Sequence, residues 1–270
     1  MNARQLLVRV THAGAVATLT LTRPAMHNAL VPDLLLDLCV ALEETGRRGE
    51  TRAVILAADG DAFSIGGDMR RFAREMGGNA LETYSAELVG LLNQAILSLM
   101  KLPQPVVAAV HGPVTGGSIG LVLACDVVVA AEDAAFKAHY ASAGFTPDGG
   151  WTALMPAIVG RRRAAACVLL NRTLSAGEAR DWGMVTQLAP RERVADVARE
   201  AAQRIAAAPA STMREGKRLL AGDLDAVERA LEAERQRFVA TVGGAEARDG
   251  VARFLRTFTG YPDDAPAQRA

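Results

Sequence analysis

Cysteine is scarce in this chain: Cys39, Cys125 and Cys167 are its only three among 270 residues. Each stands alone in apolar sequence, with no CxxC pair. That excludes a disulfide framework and a thiolate metal centre, and fits buried, reduced thiols in a cytoplasmic protein. Aromatic residues make up only 4% of the chain, so Ala, Leu and Val must build the core. There is no net charge, with 30 basic residues set against 30 acidic ones. Nothing in that balance favours a nucleic acid or a membrane surface as partner. The four histidines, His12, His27, His111 and His139, lack the spacing of metal ligands, and no metal site is expected. Apolar runs such as "PVVAAV" and "VVVAA" are strand-length, far short of the ~18 residues of a membrane span. The opening residues, MNARQLLVRVTHAGAV, do not have the layout of a secretion signal.

What the chain does have is alternation of strand and helix patterns over enough residues for a substantial core. "LLVRV" and "AVATLTL" flank the turn "THAG", a hairpin signal. Pro32 opens a helix on which Leu35, Leu38 and Leu42 form a stripe. "TRAVILAA" is a buried strand ending in "DGDAFS". The charged stretch "RRFAREMGGNALETY", with its paired glycines, is expected as a mobile loop with helical pieces. Residues 84–101 put Leu88, Leu92, Ile96 and Leu99 on one helix face. "QPVVAAVHG" and "DVVVAAE" are strands on either side of a short glycine-opened helix. From about Pro156 onward the pattern reads as almost purely helical. The domain expectation is a core over residues 1–190, a helical region over 191–262, and a disordered tail over 263–270.

Two places join a strand, a tight turn and glycines: "ILAADGDAFSIGGDM" (55–69) and "HGPVTGGSIGLVLACD" (111–126). Glycines allow close approach of another group to the backbone, and the first N–H groups of a helix lack intrahelical partners. One such N–H from each place, aimed at one oxygen, would form an oxyanion hole. Taken singly, each is also compatible with an ordinary tight turn. A phosphate-binding loop is excluded, because no GxxxxGK[ST] pattern is present.

The chain resembles the crotonase, or enoyl-CoA hydratase/isomerase, superfamily. The resemblance is carried by "LTRPAMHNAL" (21–30), "GDAFSIGGDM" (60–69), "AAVHGPVTGGSIGLVLACDVVVAAEDAAF" (108–136), "GFTPDGGWTALMPAIVGRRRA" (144–164), "AGEARDWGMV" (176–185) and "DGVARFL" (249–255). It implies an α/β fold, a spiral of strand–strand–helix repeats with a helical C-terminal trimerisation region. It further implies coenzyme A thioester substrates, no tightly bound cofactor, and homo-trimers or hexamers. Oxyanion donors are implied at the backbone N–H groups of Gly67 and Gly117. Arg23, Ala25, Ala62 and Ile65 are implied to line the CoA channel, and Phe254 to neighbour the adenine. Arg23 either approaches a CoA phosphate or forms a surface ion pair. Thr257 stands where a lysine is common, which leaves Arg256 as the nearby cation. Asp68 is implied to fix its turn by accepting backbone hydrogen bonds.

The chain departs from the hydratases of that family, which use two glutamates. Their positions are held here by Gly120 and Tyr140. Hydration needs a base to orient water and an acid to protonate carbon, and glycine serves as neither. Tyrosine can donate a proton but is a poor base at neutral pH. One carboxylate remains in the right stretch, Asp148 of "TPDGG". The pattern is similar to that of phenylacetate-pathway isomerases, which implies an aspartate near this place as proton shuttle. Asp148 is alternatively the N-cap of a helix beginning "GGWTALM". The leading expectation is an enoyl-CoA isomerase that moves a double bond through a dienolate, with Gly67, Gly117, Asp148 and Tyr140 as its catalytic set. The alternatives are a hydratase with atypical acid/base residues, a carboxylate-nucleophile enzyme like the chlorobenzoyl-CoA dehalogenases, and a non-catalytic acyl-CoA-binding member. Ser118 reads as a helix-start hydroxyl, since no histidine completes a triad with it. His139 either reaches the pocket or packs, and Trp151 either walls the acyl pocket or belongs to the core.

Overall fold

The computed structural model describes residues 5–257. The chain opens with β1 (Val8–Ala13) and β2 (Val16–Leu21), paired antiparallel across Gly14, where φ is +57°. Helix α1 (Pro32–Arg47) follows, with Pro32 in its first turn and Leu34, Leu35, Leu38 and Leu42 buried. Strand β3 (Ala53–Ala58) then pairs parallel with β2.

Helix α2 (Met69–Met76) occupies the first half of the charged stretch expected as a mobile loop with helical pieces. Asp68 nucleates it: the carboxylate accepts the N–H groups of Arg70 at 3.1 Å and Arg71 at 3.2 Å. An N-cap of this kind stabilises a helix by about 1 kcal/mol. The glycine pair Gly77–Gly78 ends α2 and separates it from α3 (Leu81–Lys101), whose apolar face is the expected Leu88–Leu92–Ile96–Leu99 stripe.

Strands β4 (Val106–Val110) and β5 (Pro113–Thr115) lead into a single 3-10 turn at Gly116–Ser118 and the short helix α4 (Ile119–Leu123). Strands β6 (Val127–Ala131) and β7 (Ala135–Lys137) precede α5 (Tyr140–Ala143), α6 (Met155–Val159) and α7 (Arg161–Leu169). The stretch beyond Pro156 is not purely helical. It contributes β8 (Thr173–Ser175) and β9 (Gln187–Ala189), three residues each, on either side of α8 (Ala176–Asp181). Such short strands have no legible period of their own; their partners β7 and β6 define them. The chain continues through α9 (Val194–Ala207), α10 (Ala210–Ala221), α11 (Leu224–Thr241) and α12 (Ala245–Thr257).

The larger sheet has the order β1-β2-β3-β4-β6-β9, parallel from β2 onward, and a smaller sheet has the order β5-β7-β8. Strands β3, β4 and β6 are covered on one side by α9, and their other side faces the main core. Burial on both faces explains why they read as continuous apolar runs. Each turn of the chain adds a strand to the large sheet, a short excursion to the small one, and a helix. That is the expected strand–strand–helix order. The expected tail over 263–270 lies outside the described residues. No helix among the described residues is long and apolar enough to cross a membrane.

Candidate active site

Two backbone segments are laced together to make the floor of the site. Phe63 N–H donates to His111 O at 2.9 Å, and Thr115 N–H donates to Ser64 O at 3.1 Å. The Thr115 hydroxyl donates to Ile65 O at 2.6 Å, and the Ser118 hydroxyl to Ser64 O at 3.0 Å. The contact is so close that a Cβ on Gly66, where φ is +78°, would lie 2.5 Å from Thr115 O. Only glycine tolerates both the conformation and the approach.

Gly67 bridges Leu30 in parallel fashion. Leu30 N–H donates to Gly66 O at 2.7 Å and Asp68 N–H to Leu30 O at 3.2 Å, so the bridge uses the groups on either side of the Gly67 N–H. Gly67 and Gly117 both line one apolar cavity of about 70 Å³. The lacing that joins their segments therefore brings the two expected donors to a single site.

Among the described residues, Asp148 contributes the only carboxylate lining that cavity. It is buried, and a Cβ built on Gly117 would lie 3.1 Å from its Oδ1 and 3.4 Å from its Oδ2. The Tyr140 hydroxyl donates to Asp148 Oδ1 and, at 3.0 Å, to the Asp148 carbonyl. Burial pushes the Asp148 carboxyl up to about 7; the Tyr140 hydrogen bond opposes that rise and the charge of Glu234 adds to it. Tyr140 is pushed well above the ordinary phenol range by burial and by the neighbouring Asp148, so its hydroxyl remains a donor. His139 also lines the cavity, in a left-handed conformation at φ +63° and with its ring edge-on to Phe254. Burial, aided by Lys137, pushes the imidazole down to about 4, so it is neutral near pH 7. Apart from Thr115 and the glycine backbone the remaining walls are apolar, with Phe72, Phe145 and Phe238 in mutual contact at centroid distances of 5.2–5.9 Å.

The enoyl-CoA hydratase/isomerase family model matches residues 11–260, nearly the whole chain. The chain belongs to the enoyl-CoA hydratase/isomerase family. It is 34% identical over 250 residues to 4-chlorobenzoyl coenzyme A dehalogenase-2 of an Arthrobacter species, covering 92% of this chain and 90% of that protein. It is 32% identical over 241 residues to the 1,2-epoxyphenylacetyl-CoA isomerase of Escherichia coli K12, covering 89% and 92%. A solved enoyl-CoA hydratase from Bacillus halodurans superposes with a TM-score of 0.85 at 21% identity, covering 92% of this chain and 99% of that one. That superposition establishes the crotonase fold.

Within this family member, the residues expected from sequence divide into two groups. Gly67, Gly117, Tyr140, Asp148, Ile65 and Phe254 line the one cavity. Arg23, Ala25 and Ala62 do not. The Arg23 guanidinium is engaged inside the fold, donating to Asp68 Oδ2 at 2.8 Å and to Ala29 O at 3.0 Å. Of its two expected roles the structure realises the ion pair, and places it partly buried rather than on the open surface. Asp148 does not cap a helix: residues 149–154 form turns, and α6 begins only at Met155. Trp151 is fully buried and donates from Nε1 to Gly116 O at 2.7 Å, fixing the glycine segment rather than walling the cavity. The Ser118 hydroxyl is spent on Thr115 and Ser64 carbonyls, which leaves it no nucleophilic role.

Two residues that organise the site escaped the sequence reading. Asn28, left-handed at φ +52° and fully buried, donates from Nδ2 to Asp59 O at 2.8 Å and Ala62 O at 2.9 Å, and accepts from Arg23 N–H. Its signal was present, an asparagine inside a turn-rich motif, and asparagine is the side chain best suited to that conformation. Glu234 accepts hydrogen bonds from the turn after Asp148. Nothing in the helical repeat of α11 distinguishes it from its solvated neighbours.

Proposed function

We propose that this protein is an acyl-CoA double-bond isomerase in which Asp148 is the single proton shuttle. The observation that carries the reading is that Asp148 is, among the described residues, the one carboxylate in the cavity shared by Gly67 and Gly117. The substrate thioester carbonyl would accept both N–H groups, each donor lying about 2.7–3.1 Å from the oxygen. The Asp148 carboxylate takes a proton from the carbon beside the thioester. That C–H bond breaks, and its electron pair spreads through the conjugated system onto the thioester oxygen. The resulting dienolate oxyanion is stabilised by hydrogen bonds from the two N–H donors. The Asp148 carboxylic acid then returns the proton two carbons along, and the carboxylate is regenerated. No water enters the balance.

A carboxyl group poised near pH 7 is matched to this double duty, since it gains and loses a proton with little bias. Hydration demands a second acid/base group, and position 120 cannot supply one: a Cβ there would lie 2.4 Å from both Gly149 O and Ile96 Cδ1. The substrate is read as a coenzyme A thioester from the family. The working form is read as a homo-trimer or hexamer of cytoplasmic location, with residues 191–262 as its helical assembly region.

The decisive test compares Asp148→Asn with the wild type on 3-enoyl- and 2-enoyl-CoA thioesters, with products resolved by NMR. Isomerisation should fall by about 10²–10⁴-fold, the usual worth of a general acid/base, while thioester binding persists. Unchanged isomerisation in Asp148→Asn would overturn the shuttle, and water addition by the wild type without double-bond migration would overturn the isomerase.

A further inference from the structure

The turn that follows Asp148 is built around a second buried carboxylate. Glu234, on α11, is only 5% exposed. Its Oε2 accepts the Gly150 N–H at 2.8 Å. Its Oε1 accepts the Thr152 N–H at 2.8 Å, the Ala153 N–H at 2.9 Å and the Thr152 hydroxyl at 2.5 Å. Four donors from three residues of one short turn, Gly150, Thr152 and Ala153, thus converge on one side chain that is distant in sequence. No regular helix holds the N–H groups of this turn: Gly149 and Gly150 both have positive φ, and α6 starts later. A run of backbone N–H groups aimed the same way attracts negative charge. Left unanswered beside Asp148, those N–H groups would favour the ionised form of its carboxyl group and make it a weaker base. Glu234 answers them.

We propose that Glu234 is a positioning residue for Asp148: it fixes the Asp148 turn against Gly117, and its charge keeps the Asp148 carboxyl a strong enough base to take a proton from carbon. The inference rests on the shuttle reading above and adds the residue that sets the shuttle's place and strength. The groups facing Asp148 support it. From α5, Tyr140 offers an uncharged hydroxyl, and His139, just before that helix, is neutral near pH 7. From α11 comes Glu234, whose negative charge raises the Asp148 carboxyl further, after burial has raised it most. Turn placement matters as much as charge. Gly149 lies so close to Gly117 that a Cβ on it would be 2.4 Å from Gly117 O, so a shift of the turn moves Asp148 and the oxyanion donor relative to each other.

The substitutions Glu234→Gln and Glu234→Asp separate the two roles. Glutamine retains Oε1 for three of the four donors and removes the charge. Aspartate retains the charge and withdraws it by one methylene. The Asp148 carboxyl can be followed directly by carbon NMR of aspartate-labelled full-length protein, its signal identified by its loss in Asp148→Asn. In Glu234→Gln the Asp148 midpoint should move to lower pH. In Glu234→Asp it should stay raised, while the amides of Gly150, Thr152 and Ala153 exchange hydrogen faster. Turnover in the aspartate variant should fall by about 10²-fold, the scale of a misplacement of about 1 Å. An unmoved midpoint in Glu234→Gln, or unchanged amide exchange in Glu234→Asp, would overturn the proposal. If the glutamine variant does not fold, the amide exchange of the aspartate variant decides alone. These readouts need no substrate, so unchanged turnover in Asp148→Asn would sink the shuttle and leave the Glu234 result standing on its own.

Discussion

At the scale of single residues, the site turns on a carboxyl group that is largely buried. Asp148 is raised to about 7 by burial, with the Tyr140 hydrogen bond pulling the other way. In an unfolded chain the same group titrates near the usual carboxylate value of about 3.9. The folded form therefore holds the proton over a pH range in which the unfolded form has lost it. The stability contributed by the protonated group is fully present below about pH 3.9 and is lost as pH rises through about 7. Asp148→Asn carries no such titration. The variant should gain stability relative to the wild type as pH rises from 4 to 8, read as a rise of its urea midpoint relative to that of the wild type. A gap that stays constant over that range would show that Asp148 titrates normally. The same residue scale shows where sequence was informative. Asp148 was reached through the family resemblance, which points to the turn "TPDGG", where it is the one carboxylate. Its partner Glu234 was not, because its function depends on a contact 84 residues away in the chain.

At the scale of elements, the short helix α4 and the turn at 149–150 are packed backbone to backbone, and this packing excludes the missing acid. Gly120 abuts Gly149 O and Ile96 Cδ1, so a side chain at 120 has no space to enter. Gly120→Glu should lower the melting temperature and should not create water addition to 2-enoyl-CoA thioesters. A stable variant that hydrates would mean that the turn can withdraw and that the hydratase arrangement is latent. Element by element, the large sheet and the long helices were legible because their apolar residues repeat with the period of a strand or a helix. The leucine stripes of α1 and α3 are the plain cases. Helix α2 was legible only as helical pieces within a loop, because its charged residues mask the period and its glycine pair suggests a loop, while the Asp68 cap that starts it is a local hydrogen bond. Strands β8 and β9 were hidden for another reason: three residues cannot show a period, and only their partners make them strands. The pairing of Gly67 with Gly117 follows from the lacing of segments 63–67 and 111–118. No pattern within either segment encodes that lacing, and it was reached only through the family resemblance.

At the scale of the whole molecule, the last third of the chain reaches back to complete the site made by the first two. Phe238 of α11 and Phe254 of α12 line the same cavity as Gly67 and Gly117. Helix α12 sits hard against α5, since a Cβ on Gly250 would lie 2.1 Å from Ala143 O. Helix α10, which precedes α11, is different. Its Lys217 is buried, donating to Leu99 O at 2.8 Å and paired with Asp126 at 2.9 Å, which pins one face of α10 to the core. Its neighbours Leu219 and Leu220 are 78% and 87% exposed. Leu169 and Leu170, at the end of α7, are each 76% exposed. A helix held by a buried ion pair on one side, with two leucines presented on the other, is suited to bury those leucines against another molecule. Association of copies of this chain is therefore expected to involve α10. Light scattering on the eluting protein at micromolar concentration should show a closed assembly, trimeric or hexameric. The pair Leu219→Asp and Leu220→Asp should shift it towards monomer while circular dichroism stays unchanged, because neither side chain contributes to the core. A wild type that elutes only as monomer would remove the assembly from this account. An assembly indifferent to both substitutions would place its contacts on another face.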